Sequence, residues 1–111
     1  MYNIEVSGLF EQQVRKLSKL YPSIKDDIAW LIDTLEKYWP IWISLWAKCY
    51  KIRLKNSDNN KWKSWWYRVI SLLFEDDKIS LLSIYSKNNI SSISSDKIDK
   101  MIKEFYIKYL G

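Results

Sequence analysis

The chain has 111 residues, of which 18 are Lys or Arg and 13 are Asp or Glu, so its formal net charge is +5. This length fits one domain over residues 1–111, and the basic charge favours an anionic partner, nucleic acid being the commonest. The chain has no histidine, which excludes a Ser-His-Asp triad, and its single cysteine, Cys49, excludes an internal disulfide, so we expect neither a metal nor another cofactor.

The first 37 residues predict one strand followed by two helices. Residues 2–7 alternate between apolar and polar as a short strand does, and Ser7-Gly8 can end that strand. From Leu9 to Tyr21 the apolar residues keep helical spacing, and Pro22 closes this helix and suits the first turn of the next. In the second helix the apolar stripe consists of Ile24, Ile28, Leu31, Ile32 and Leu35. The short connection predicts that the two helices form an antiparallel hairpin.

The apolar stretch at 38–47 predicts an irregular segment. It is about half of the ~20 residues that a membrane-spanning helix needs, and it contains a proline. The first ten residues lack the basic start and apolar core of a signal peptide. We therefore expect a cytoplasmic protein that does not insert into a membrane.

The second half of the chain changes from a period of 3.6 to a period of 2. Residues 49–55, 66–75 and 78–87 predict three strands, the last two joined as a hairpin by Asp76-Asp77. A helix from Asp96, with Ser95 as its cap, presents one apolar face made of Ile98, Met101, Ile102, Phe105 and Tyr109. The order β-α-α-β-β-β-α predicts an α+β fold in which the helix hairpin packs on one face of a small, twisted, mainly antiparallel sheet of about four strands, followed by a C-terminal helix.

Cationic residues concentrate on these strands. Lys51 and Arg53 share one face by the period-2 rule, and Arg68 joins them if the register of the neighbouring strand is favourable. Tyr85 and Lys87, again two residues apart, lie at the end of the last strand. Two of the three arginines fall in central strands, where a charged residue normally needs a reason. The structural alternative is that this face of the sheet is simply solvated.

The run from Tyr50 to Ile70 and the run from Ile79 to Asn89 resemble the RelE/ParE toxin superfamily of bacterial toxin–antitoxin systems, closest to its HigB-like branch. The family pattern has a K-I-R strand, a glycine-rich loop, an R-V-I strand and a strand that ends in L-L-x-I-Y-x-K-N. The corresponding segments here are 51–53, 62–66, 68–70 and 81–88. The helices before and after them also match in order, so the resemblance covers nearly the whole chain.

The resemblance implies a RelE-like fold and a toxin that enters the ribosome and cleaves messenger RNA there. It implies catalytic roles for Lys51 and Arg53 as base and phosphate clamp, for Arg68 as transition-state stabiliser, for Lys87 as a further phosphate or leaving-group contact, and for Tyr85 as a substrate-orienting or stacking residue. Which lysine is the base stays open. Lys55, Lys61 and Lys63 are the candidates for contacts to RNA or to the ribosome, with a solvated loop as the alternative for the last two.

Two other functions stay open at this point. ParE-like relatives share the fold but inhibit DNA gyrase by binding, without a nuclease site. The chain could also be a non-enzymatic, basic RNA-binding module. A toxin implies a cognate antitoxin, often a DNA-binding protein encoded next door, which would cover the basic face of the sheet or displace the terminal helix.

The glycine-rich loop of the family pattern is rich in tryptophan here. The chain has 2 Gly and 7 Trp, whereas glycine at about 7% would be ordinary. Our hypothesis is that several tryptophans stand for glycines, encoded by UGA codons that the source organism reads as glycine; the candidates are Trp39, Trp42, Trp46, Trp62, Trp65 and Trp66. The functional alternative is that Trp62, Trp65 and Trp66 stack on RNA bases, each contact contributing about 1–3 kcal/mol.

The gene itself tests the recoding hypothesis. We expect UGA codons at positions 62, 65 and 66, and a native protein whose mass is lower than that of the printed sequence. Sequencing the gene and weighing the native protein by mass spectrometry measure both quantities. UGG codons at these three positions would contradict the hypothesis.

Overall fold

Three helices and five strands make up the part of the chain that the structure, a computed structural model, describes, namely residues 2–37, 43–44, 48–58, 66–86 and 93–111. In chain order they are β1 (Asn3–Val6), α1 (Gly8–Leu17), α2 (Ile24–Lys37), β2 (Ile43–Ser44), β3 (Cys49–Lys55), β4 (Trp66–Glu75), β5 (Lys78–Ser86) and α3 (Ser95–Leu110). The fold is therefore α+β, as predicted. No helix among these residues is both long enough and apolar enough to cross a bilayer.

The strands form one mixed sheet in the order β1-β5-β4-β3-β2. The β3–β4 and β4–β5 pairs are antiparallel, and β1 runs parallel to β5, so the mainly antiparallel sheet is confirmed. One difference lies in the stretch at 38–47, which we predicted to be irregular. Two of its residues form the short edge strand β2, because Ile43 pairs with Lys51 and Ser44 pairs with Tyr50.

Two helix ends differ from the sequence prediction. Helix α1 ends at Leu17 instead of Tyr21, where Ser18 caps it and its hydroxyl donates a hydrogen bond to the Arg15 carbonyl at 2.7 Å. Leu20 therefore leaves the apolar stripe and is 66% exposed. At α3 the cap is Ser94, one residue earlier than predicted, and its hydroxyl accepts a hydrogen bond from the Lys97 amide.

The sheet separates two apolar cores. The helix hairpin covers one face, where residues from α1 and α2 pack against alternate residues of the three long strands; these strand residues are Ile52, Leu54, Tyr67, Val69, Leu81 and Ile84. Helix α3 covers part of the other face, against Cys49, Ile70, Leu72, Leu82 and Tyr85. Both cores are continuous across β3, β4 and β5, which fixes the register of the strands that carry the predicted cations.

The C-terminal half of helix α3 packs against β4 through aromatic rings. Phe105 and Tyr109 pack against Phe74 of β4, with ring centroids 4.9 and 5.0 Å from the Phe74 ring. The Tyr109 hydroxyl also contacts the Glu75 carboxylate. The C-terminal half of the helix therefore lies near the β4–β5 turn, while Ile98, near its start, is buried in the same core as Tyr85.

Candidate functional site

Three of the predicted site residues lie in one row across the sheet. Arg53 of β3 pairs with Arg68 of β4, and Arg68 pairs in turn with Tyr85 of β5. Because directly opposed residues in antiparallel strands point to the same face, the three side chains are neighbours on the α3 side of the sheet. The register that we required for Arg68 to join Arg53 is confirmed. We call Arg53, Arg68 and Tyr85 the arginine row.

Two lysines flank the arginine row on the same strand and the same face. Lys51 precedes Arg53 by two residues and is half-buried, and Lys55 follows it by two residues and is exposed. Lys51 is opposite Ile70, and Lys55 is opposite Trp66. One strand thus carries three cations on one face, as the period-2 pattern predicted.

The cations of the arginine row are not neutralised by carboxylates. All 13 Asp and Glu residues lie in the described part of the chain. Among the described residues, the two ion pairs are Lys37–Asp33 and Lys78–Glu75. Like charges directly opposite each other on neighbouring strands destabilise a sheet. The pairing of Arg53 with Arg68 therefore lowers the stability of the sheet, and a structural role does not explain why both residues are arginine.

Arg68 is also buried, with 7% of its surface exposed. Its Nη1 atom is inaccessible to solvent and has no hydrogen-bond partner within the described residues. Burial, followed by the charge of Arg53, lowers the pKa of the Arg68 guanidinium, while Tyr85 opposes this shift. A buried guanidinium with an unused donor and no carboxylate is the arrangement that an incoming anion would stabilise.

Tyr85 completes the row as an uncharged donor. It is 6% exposed, and burial raises the pKa of its phenol, an increase that the charge of Arg68 and a hydrogen bond from the Ile93 backbone partly offset. Because the ordinary pKa of tyrosine is already about 10, the phenol is protonated at neutral pH. It can donate a hydrogen bond beside the guanidinium groups, and it is not suited to act as a base.

Trp66 is the one candidate tryptophan that the structure describes. The guanidinium carbon of Arg53 lies 5.3 Å from the centroid of its ring, a cation–π contact that orients Arg53. One face of the indole is therefore occupied by Arg53 instead of being free to stack on a base. The backbone at Trp66 is that of a paired strand, so position 66 does not itself require glycine.

The other predicted residues lie outside the described residues. They are Lys87 of the catalytic set, Lys61 and Lys63 of the RNA-binding set, and five of the tryptophans proposed as recoded (Trp39, Trp42, Trp46, Trp62 and Trp65). Their roles stay predictions.

Sequence reasoning missed one residue that touches the strand of Tyr85. Gln13, on α1, contacts β5 immediately before Tyr85. Its spacing from Phe10 and Leu17 places it at the edge of the apolar stripe, but a polar residue at the edge of a stripe is common. No signal in the sequence distinguished it from a solvated side chain.

No protein-family model matches the chain, and a search of curated proteins gives no match.

Replacing Arg68 by methionine should stabilise the protein. Arg68→Met keeps the volume of the side chain but removes a buried charge that has no partner, so we expect the free energy of unfolding to rise by about 1 kcal/mol. Urea denaturation monitored by circular dichroism measures the change. Arg15→Met, at an exposed position of α1, is the matched control and should be neutral within about 0.5 kcal/mol. A loss of stability in Arg68→Met would show that the guanidinium has a structural partner.

Proposed function

We propose that the chain is a RelE-like toxin, of the HigB-like branch of the RelE/ParE superfamily, that cleaves messenger RNA on the ribosome. The observation that carries the proposal is the arginine row, in which two opposed guanidinium groups without carboxylate partners lie beside a protonated phenol. An RNA backbone offers one phosphate per nucleotide, and guanidinium groups bind phosphate oxygens in a fixed geometry. The α+β fold and the three helices agree with the fold that the motifs imply.

The proposed reaction uses the 2′-hydroxyl of the RNA itself. Its oxygen attacks the adjacent phosphorus while its proton passes to a base, and the bond between phosphorus and the 5′-oxygen breaks as that oxygen receives a proton. The products are a 2′,3′-cyclic phosphate and a 5′-hydroxyl. The crowded phosphorane that forms on the way carries more negative charge than the ground state, so cations aimed at its oxygens accelerate the reaction.

The residues divide these tasks according to their positions. Arg53 and Arg68 would hold the non-bridging phosphate oxygens, with Arg68 gaining a partner for its buried Nη1. Lys51, two residues along the same strand, is a candidate for the proton acceptor, and Lys87 is a candidate for a further phosphate or leaving-group contact. Tyr85 would orient the nucleotide through its hydroxyl or its ring. No histidine is needed in this scheme.

The wider context of the site is part of the proposal. Lys55, Lys61 and Lys63 would contact the RNA backbone of the message or of the ribosome, in agreement with the net charge of +5. The protein would act in the cytoplasm, and a cognate antitoxin would neutralise it.

Loss of the Arg68 side chain should abolish cleavage. Arg68→Ala removes a donor aimed at the developing charge, so we expect the rate of cleavage of ribosome-bound message to fall by about 100- to 1,000-fold. Primer extension on translating ribosomes measures this rate, and circular dichroism verifies that the variant is folded. Arg15→Ala, which removes the arginine outside the row, is the matched control and should keep the wild-type rate.

A gyrase supercoiling assay separates this proposal from its main alternative. Undiminished cleavage by Arg68→Ala would remove that residue from the site. Wild-type protein that inhibits gyrase and leaves the message intact would favour the ParE-like function. RNA binding with a steep salt dependence and no cleavage would favour a non-enzymatic RNA-binding module.

A further inference from the structure

We propose that Gln13 is a positioning residue, which holds a β-bulge in β5 and thereby places Tyr85 in the arginine row. The inference rests on the proposed function for its catalytic consequence, but its structural part can be measured without any activity. Gln13 is on α1 and lies at the edge of the sheet beside β5, where it lines a cavity with residues at the start of α3. Both of its side-chain hydrogen bonds among the described residues are to β5, so it would act through that strand.

Strand β5 is longer than its neighbour β1, so part of the β5 backbone needs hydrogen-bond partners from outside the sheet. The parallel β1 pairs with β5 from Lys78 to Leu81 and goes no further. Beyond Leu81, the backbone of β5 on that side has no strand partner among the residues that the structure describes. The start of α1 replaces it, because the Ser7 hydroxyl donates to the Leu82 carbonyl at 2.9 Å. The next contact along this edge is Gln13.

The side-chain carbonyl of Gln13 accepts two hydrogen bonds from β5. The Ile84 amide donates to Gln13 Oε1 at 2.8 Å, and the Ser83 hydroxyl donates to the same atom at 3.1 Å. Ser83 is buried, so its hydroxyl would otherwise lie unpaired in the protein interior. One oxygen thus satisfies two donors from consecutive residues, where a strand would supply a single carbonyl.

These two residues directly follow a β-bulge, whose extra residue is Leu82. Ile70 pairs with Ser83, whereas the next residue, Ser71, pairs with Leu81, so β5 contains one extra residue at this point. The consequence is visible in the packing. Leu81 and Ile84 face the hairpin core, and Leu82 and Tyr85 face the α3 core, although each pair is three residues apart.

The bulge decides which face of the sheet Tyr85 occupies. A regular strand alternates with a period of 2, so Tyr85 would share the face of Leu81 and point into the hairpin core. The extra residue reverses the alternation and turns Tyr85 towards Arg68. A residue that stabilises the bulge therefore also stabilises the arginine row.

Three variants test the inference. Gln13→Leu removes the acceptor, Gln13→Glu retains an oxygen that can accept both hydrogen bonds, and Gln12→Leu is the matched control at an exposed neighbouring position of α1. We expect Gln13→Leu to increase hydrogen exchange at the Ile84 amide by about tenfold, because it loses a hydrogen bond. Gln13→Glu and Gln12→Leu should stay near the wild-type rate. Gln13→Asn, whose shorter side chain cannot reach both donors, replaces Gln13→Leu if the latter does not fold.

A second readout follows Tyr85 itself. In protein labelled with ¹³C at the tyrosine Cζ atoms, the phenol of Tyr85 should titrate at a higher pH in Gln13→Leu than in the wild type. A ring turned towards the hairpin core stays buried but loses the charge of Arg68 and the Ile93 hydrogen bond, both of which lower its pKa. In the cleavage assay, Gln13→Leu should reduce kcat by about 10- to 100-fold. The same substitution should have little further effect in a Tyr85→Ala background, since Gln13 acts through the Tyr85 side chain.

The outcomes separate this inference from the proposed function. If wild-type protein cleaves no message, the proposed function fails, and exchange at Ile84 and the Tyr85 titration still decide whether Gln13 positions Tyr85. If wild-type protein cleaves message and Gln13→Leu matches it in kcat, in Ile84 exchange and in the Tyr85 titration, the inference is overturned and the proposed function stands. Equal losses in the wild-type and Tyr85→Ala backgrounds would also overturn it.

Discussion

Two guanidinium groups oppose each other on neighbouring strands, and no carboxylate of the described residues neutralises them. The repulsion between Arg53 and Arg68 favours strand slippage or separation, so the rest of the fold must hold their register. The hairpin core fixes this register on one face, where Ile52 is paired with Val69 and Leu54 with Tyr67, and all four side chains are buried in the core. Slipping β3 by one residue would turn these apolar side chains out of the core, at a far greater cost than the repulsion.

The other face of the sheet is divided between helix α3 and the arginine row. Helix α3 buries the end of this face near Cys49 and Leu72, and the aromatic contacts of Phe74 anchor it there. The arginine row lies beyond that anchor, with Tyr85 as the residue that belongs both to the α3 core and to the row. The arginine row lowers stability through the repulsion between its two guanidinium groups, and the apolar cores offset this loss. Such local destabilisation, supported by the surrounding fold, is typical of functional sites.

Most of the fold followed from the sequence because its patterns were local. The period of 2 in residues 49–55 predicted β3 with the observed ends, and the face shared by Lys51 and Arg53 followed from it. Residues 66–75 predicted β4, also with the observed ends. The pairing of Arg53 with Arg68 depended on a register that sequence alone leaves open. The bulge at Leu82 could not be predicted, because "LLSIYS" is apolar at most positions and shows no alternation to break. Gln13 could not be identified from the sequence either, because its role depends on a contact with a strand 70 residues away.

The central claim is that the arginine row is a phosphate site, and the arginine side chains report on it directly. The chain has three arginines, so the ¹⁵N signals of Arg15, Arg53 and Arg68 can be followed separately while a short 2′-O-methyl RNA, which cannot be cleaved, is added. We expect the signals of Arg53 and Arg68 to shift together and to saturate at the same RNA concentration, while that of Arg15 stays in place. Equal shifts at all three arginines, or no shift at Arg53 and Arg68, would contradict the account.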